Sequence, residues 1–201
     1  WAGFEGVSLL VYDDPALVEE AIEKLCVLIS TVIDSVPAEL ELDFAHGWED
    51  MCFNHGPIIS PTYFENWMVP RYARITQVLK SKGVDVVIVD CDGDISQLVP
   101  LWLDGGVNCM FPIEIASGTD PFQMRRLYGD RVILKGGVDK RALIGGRDTI
   151  DAEIDRLAPL VREGGFIPHV DHRVPPDVSY EDYLYYLHRK RECFSMPEPA
   201  F

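Results

Sequence analysis

The sequence predicts an α/β fold of about five strand–helix units with parallel strands. Three observations carry this. Short apolar runs such as Val84–Val89 have the make-up of strands buried on both faces. Stretches with apolar residues every three or four positions alternate with them, as amphipathic helices do. Asp, Ser, Pro and Gly mark the junctions, where helices are capped and stopped.

In chain order, Asp13-Asp14-Pro15 supplies an N-cap followed by proline at the first helical position. Val18, Ile22, Leu25, Ile29 and Val32 then make one apolar face, and Pro37 ends the helix. Leu40 to Ala45 alternates as a strand does. Ser60-Pro61 opens a second capped helix running to about Lys82, with a kink expected at Pro70. A regular rhythm follows: strand 84–89, helix near 95–103, strand 107–111, helix 121–128 and strand 131–134. Gly136-Gly137 is expected to turn the backbone after that strand. A long helix over about 148–162, a short strand 166–170 and a last helix from Ser179 to about Cys193 complete the series.

Periodicity alone does not separate an open doubly wound sheet from part of a barrel. No GxGxxG or P-loop follows a strand, so the nucleotide-binding version lacks its signature. The polar clusters fall at strand ends: Asp43 to His46, Asp90 to Asp94, Glu114, Asp139, and His169 to His172. Acids and histidines on five successive strand ends suit one mouth at the C-terminal face of a partial (β/α)8 TIM barrel. The whole chain, 1–201, reads as one domain.

A net charge of −15 repels phosphate backbones and anionic lipids, which argues against nucleic acid as a partner. No apolar run approaches the roughly 18 residues of a membrane helix, so no membrane partner is expected either. No secretory signal is visible, and a cytoplasmic location is the expectation. The five cysteines are scattered without CxxC pairs and read as reduced thiols, mostly buried.

Several stretches together resemble the uroporphyrinogen decarboxylase superfamily, which holds cofactor-free decarboxylases and metal-dependent methyltransferases. They are Trp48 to Met51, Gly56 to Pro61, Asp90 to Asp94, Pro112-Ile113-Glu114, Tyr128-Gly129, Gly136 to Asp139, and Pro168-His169 through Pro175-Pro176. Family members are usually longer at the N-terminus, so the resemblance implies that roughly three of eight βα units are absent. It also implies that the arginines holding a decarboxylase substrate would lie in that part, and 1–36 contains no arginine.

In the methyltransferase branch, a His-x-Cys-Gly pattern after the strand matching 84–89 binds zinc. Here Asp90 and Asp92 stand in those places. The resemblance further implies a metal-ligating glutamate at Glu114 and a late ligand at about His169. The candidate metal set is therefore Asp90, Asp92, Glu114 and either His169 or His172, with Asp92, His169 and His172 as candidate catalytic residues. Oxygen donors with one imidazole suit a harder divalent cation, or a weaker zinc site than thiolates make. The competing reading is that Asp90 and Asp94 cap the following helix. In the same way His169 either contacts substrate or hydrogen-bonds within its proline-rich loop, and Asp171 is placed to orient a histidine ring. Trp48, Tyr63, Trp67, Trp102 and the closing tyrosines Tyr180, Tyr183, Tyr185 and Tyr186 read as packing residues. Cys91 is disfavoured as a nucleophile, because Asp90 and Asp92 would raise its thiol pKa.

Three functions remain open from the sequence. One is metal-assisted methyl transfer from a small methylated donor to a corrinoid, or corrinoid protein, or to a thiol. Its electrostatic support is that an acidic mouth repels the eight carboxylates of uroporphyrinogen. The second is uroporphyrinogen decarboxylation in porphyrin biosynthesis, which needs no cofactor. The third is a homologue without activity. A small-molecule substrate and a homodimer are the expected partners.

Overall fold

The computed structural model describes residues 2–195. It opens with helices α1 (Gly3–Asp13) and α2 (Pro15–Asp34). The Asp14 carboxylate accepts the Leu17 amide at 3.1 Å, so the N-cap expected from Asp14-Pro15 forms. Helix α1 was not expected. None of its residues is buried, so it has no core-facing stripe for a sequence to display.

Strand β1 (Ala45–Trp48) begins where the expected strand 40–45 ends. Its ladder starts with the Ala45 amide on the Val86 carbonyl, and Leu40 and Phe44 upstream stay exposed. A hairpin of β2 (Cys52–Phe53) and β3 (Gly56–Pro57) follows, too short for alternation to reveal. The helix expected from Ser60-Pro61 appears as α3 (Pro61–Tyr63), a π-helical stretch 64–68, and α4 (Val69–Ser81). The irregularity lies just before Pro70. The Val69 amide bonds the Phe64 carbonyl five residues back, a widened turn beside a residue that has no N–H to donate.

The remaining elements are β4 (Val87–Asp90), α5 (Val99–Asp104), β5 (Cys109–Ile113), α6 (Pro121–Tyr128), β6 (Ile133–Val138), α7 (Lys140–Ile144), α8 (Arg147–Glu163), β7 (Phe166–Val170) and α9 (Tyr180–Phe194). The five longer strands form one parallel sheet in the order β1-β4-β5-β6-β7. That is chain order without the reversal of a doubly wound sheet.

Strand β6 runs four residues past its expected end and includes Gly136 and Gly137. Register shifts by one residue between Met110↔Leu134 and Ile113↔Gly136, an irregularity of the bulge kind. It brings the Ile113 amide nitrogen to 2.5 Å from where a Cβ on Gly136 would sit. The glycine pair therefore serves a close approach inside a strand rather than a turn after one.

The chain divides into two compact units. The first takes the described residues to Gly47, Ile59–Ile88 and Gln97–Val107. Here α2 meets α4 through Arg71, which reaches Glu19 and Glu23 at 3.0 and 2.9 Å. Trp102, fully buried, packs edge-on against Phe64, and Tyr63 stacks on Trp67, as expected of packing aromatics. On the same unit, Phe4, Leu9, Tyr12, Leu25, Leu28 and Val32 leave an apolar face of α1 and α2 exposed.

The second unit takes Trp48–Ile58, Val89–Ser96 and the described residues from Asn108 onward. Its lower end is tied by Arg125 of α6, a buried arginine. One guanidinium nitrogen donates to the carbonyls of Gly129 and Val132, the other to those of Gly164 and Gly165. These carbonyls lie just ahead of β6 and β7, so one side chain fixes where both strands begin. Replacing it (Arg125→Met) strips four carbonyls of a charged donor at once. Urea unfolding should show a loss of about 3–5 kcal/mol, with the midpoint falling and the slope unchanged.

Candidate active site

Four strand ends build the site, all within the second unit. Strand β4 ends at Asp90, and the chain turns through Cys91 and Asp92 to Gly93. Gly93 has φ +87°, and a Cβ there would lie 2.6 Å from the Phe53 carbonyl oxygen, so hairpin and turn can touch only through glycine. The Cys91 amide donates to the Phe111 carbonyl and the Asp92 amide to the Asp50 carboxylate. The Asp92 backbone is thereby held at the turn, with its side chain partly exposed.

Its partner comes from the far strand. The His172 ring nitrogen Nε2 lies 3.2 Å from Asp92 Oδ2, and both side chains are partly exposed. Asp90, Asp92, His169 and His172 line one cavity of about 490 Å³, with Trp48, Phe111, Arg173 and Tyr183 among its other walls. Trp48 is thus a cavity wall, 78% exposed, rather than a core residue, with its indole N–H donating to Asp50. Tyr183 likewise lines the cavity, whereas Tyr186 is buried as expected.

Glu114 sits at the end of β5 but does not point its oxygens at that cavity's acids. Oε1 accepts the Lys140 ammonium at 2.9 Å and Oε2 accepts the Gly93 amide at 3.1 Å. Asp171, fully buried, orients neither histidine. Its carboxylate takes the amides of Ile115, Ala116 and Lys140 instead. Asp139 caps α7 and pairs with Arg141. Asp94 closes a turn on Ser96 and caps no helix: α5 starts only at Val99, with Leu98 at its N-cap and no side-chain cap, so the expected capping by Asp90 and Asp94 does not form. Asp43 precedes β1 and His46 lies within it, in the first unit. Among the described residues no three of the His, Cys, Asp and Glu side chains converge as ligands for one ion.

The charges follow from these contacts. Burial works to raise the Glu114 pKa, but hydrogen bonds from Lys140, Ser117 and the Gly93 amide, with the lysine charge, hold it below the usual carboxylate value. Burial pushes Asp171 up in spite of its backbone donors. His169 is pushed down by burial, and its Nδ1–H donates to the Val170 carbonyl, which leaves Nε2 as an acceptor. The Cys91 thiol is driven far up, as expected, but through a hydrogen bond with Cys52 and burial rather than through the flanking aspartates.

Lys140 is the residue that sequence reasoning missed. No helix was expected over 140–144, and its partner Glu114 lies 26 positions away, so no local pattern marked it.

Comparison with known proteins is consistent with this geometry. The family model described as Uroporphyrinogen decarboxylase (URO-D) matches residues 2–192. The uroporphyrinogen decarboxylase of Methylococcus capsulatus is 26% identical over 184 residues, 89% of this chain and 49% of that protein. That of Saccharophagus degradans is 25% identical over 185 residues, with the same shares covered. A methyltransferase from Methanosarcina mazei superposes with a TM-score of 0.68 at 16% identity, over 94% of this chain and 53% of that one. That likeness shows the fold, a partial barrel of parallel strands. The chain spans about half the length of the curated relatives it matches.

Because Glu114 has a depressed pKa in the folded protein, the stability it contributes is complete above the unfolded value of about 4.3. It is lost as pH falls through the lower folded value. Glu114→Gln should therefore flatten the acid limb of a stability-versus-pH curve, measured by urea unfolding between pH 3 and 7.

Proposed function

Because the chain belongs to the uroporphyrinogen decarboxylase family, we propose that it carries the proton-transfer centre of an enzyme that decarboxylates a small-molecule substrate. Asp92 and His172 are the acid–base pair. The observation that carries this reading is their 3.2 Å contact at the mouth of a cavity that His169 and Arg173 also line.

Loss of carbon dioxide leaves a carbanion-like centre that must be protonated. A protonated His172 can deliver that proton while the Asp92 carboxylate accepts its Nε2–H and offsets its charge. His169, with Nδ1–H committed to the Val170 carbonyl, offers a neutral acceptor. Arg173 supplies a cation for a substrate carboxylate.

The electrostatic objection drawn from the sequence is weaker than the acid count suggested. Of Asp90, Asp92, Asp94 and Glu114, only the first two line the cavity, Glu114 is paired with Lys140, and Asp94 closes its own turn. The chain spans about half the length of the curated relatives, so the proposed reaction is tested with the chain extended as well as alone. Assembly as a homodimer is part of the proposal.

Metal-assisted methyl transfer to a corrinoid or thiol is the second reading, favoured by Asp90, Asp92, His169 and His172 sharing one cavity. The donor arrangement described above does not fit a metal, since Glu114 would first have to leave Lys140. No described helix is long and apolar enough to cross a membrane.

The test is anaerobic turnover of uroporphyrinogen, with bound metal measured in parallel. It uses this chain and a chimera extended by the N-terminal half of the Methylococcus capsulatus relative. The chain alone should show little turnover, and Asp92→Asn or His172→Gln should slow an active chimera by about 10²–10⁴-fold. Full activity in both variants would remove the pair from the mechanism.

A further inference from the structure

Outside the Asp92–His172 pair, the second unit holds a group of charges that the proposed reaction does not use. Lys140 Nζ lies 2.9 Å from Glu114 Oε1 and 4.0 Å from Asp171 Oδ1, and the three side chains are 19%, 14% and 0% exposed. The Lys140 amide also donates to Asp171 Oδ1, at 3.1 Å. The other Glu114 oxygen takes the Gly93 amide, next in the chain to Asp92, while Asp171 is next to His172. These contacts close a circuit. It runs from Asp171 through Lys140, Glu114 and the Gly93 amide to Asp92, and across to His172, joining the ends of β4, β5, β6 and β7.

A cation between two largely buried carboxylates does electrostatic work that a metal would otherwise do. Glu114 is also the position at which the likeness to metal-dependent methyltransferases would put a ligand. We infer that Lys140 is the resident counter-ion of this site. Its ammonium fills the place of a metal beside Glu114 and so holds the turn carrying Asp92 in register with His172. Lys140 is a positioning residue: it acts through Glu114 and the Gly93 amide. This inference deepens the proton-transfer reading, and its test is independent of turnover.

The Gly93 amide reports on Glu114 directly. Its ¹⁵N–¹H resonance should titrate in the wild-type chain with a midpoint below the usual carboxylate range. In Lys140→Met, which keeps the backbone amide and the apolar stem, the midpoint should rise by about one pH unit or more, a tenfold weaker acid. Lys140→Arg should restore it, which separates loss of the charge from general damage to the fold. Zinc binding by equilibrium dialysis should show no equivalent in the wild-type chain that Glu114→Gln abolishes. A Gly93 resonance titrating in Lys140→Met as in wild type would overturn the inference. So would one equivalent of zinc bound through Glu114 with Lys140 in place. If these results come out as expected while the extended chimera converts no uroporphyrinogen, the decarboxylase reading falls and the counter-ion role stands.

Discussion

A carboxylate with no solvent exposure is tolerable only if its lone pairs are filled, because an unpaired buried charge costs several kcal/mol. Asp171 meets that demand with the amides of Ile115, Ala116 and Lys140, and the rest of the site follows from it. The loops leaving β5 and β6 must both turn their backbones toward the end of β7 to supply those donors. The turn after β6 starts α7 at Lys140, whose side chain then reaches Glu114. Glu114, so engaged, takes the Gly93 amide and leaves Asp92 for His172. An acid that looked like an orienting partner for a histidine ring is instead the fixed point to which three loops are tied.

The chain announces its elements where capping chemistry and core-facing periodicity coincide. Asp14 caps its helix as expected, Asp120 and Ser179 cap the helices expected to start beside them, and β7 has the expected limits because Phe166, Pro168 and Val170 alternate into the core. Where one of those signals is missing, reading fails for an identifiable reason. Helix α1 buries nothing, the β2–β3 hairpin is two residues a side, and β6 carries a glycine pair demanded by the bulge opposite it. In the site, Asp92 and His172 could be named from their places at strand ends. That they pair with each other, and that Glu114 pairs with Lys140, depends on loop directions that no local pattern encodes.

Family membership and site geometry constrain different things. The match over residues 2–192 fixes the family and, with the strand order, the partial-barrel fold. It does not choose between the chemistries that such barrels host, because function resides in side chains grafted onto the strand ends. By the resemblance drawn from the sequence, acids stand where thiolate and imidazole ligands would serve zinc; Glu114, the glutamate proposed to join them, is bound to Lys140. Substitution of that kind changes the charge state of a site while leaving its frame intact.

The circuit also bears on how the molecule comes to its folded state. Its members are drawn from Asp92 to His172, so it can close only after four strand ends have been brought together, and the entropy of closing such loops must be met first. During synthesis, β7 and the Asp171 turn are the last of these to leave the ribosome. The circuit is therefore complete only once β7 is in place, since Asp171 and His172 both follow that strand.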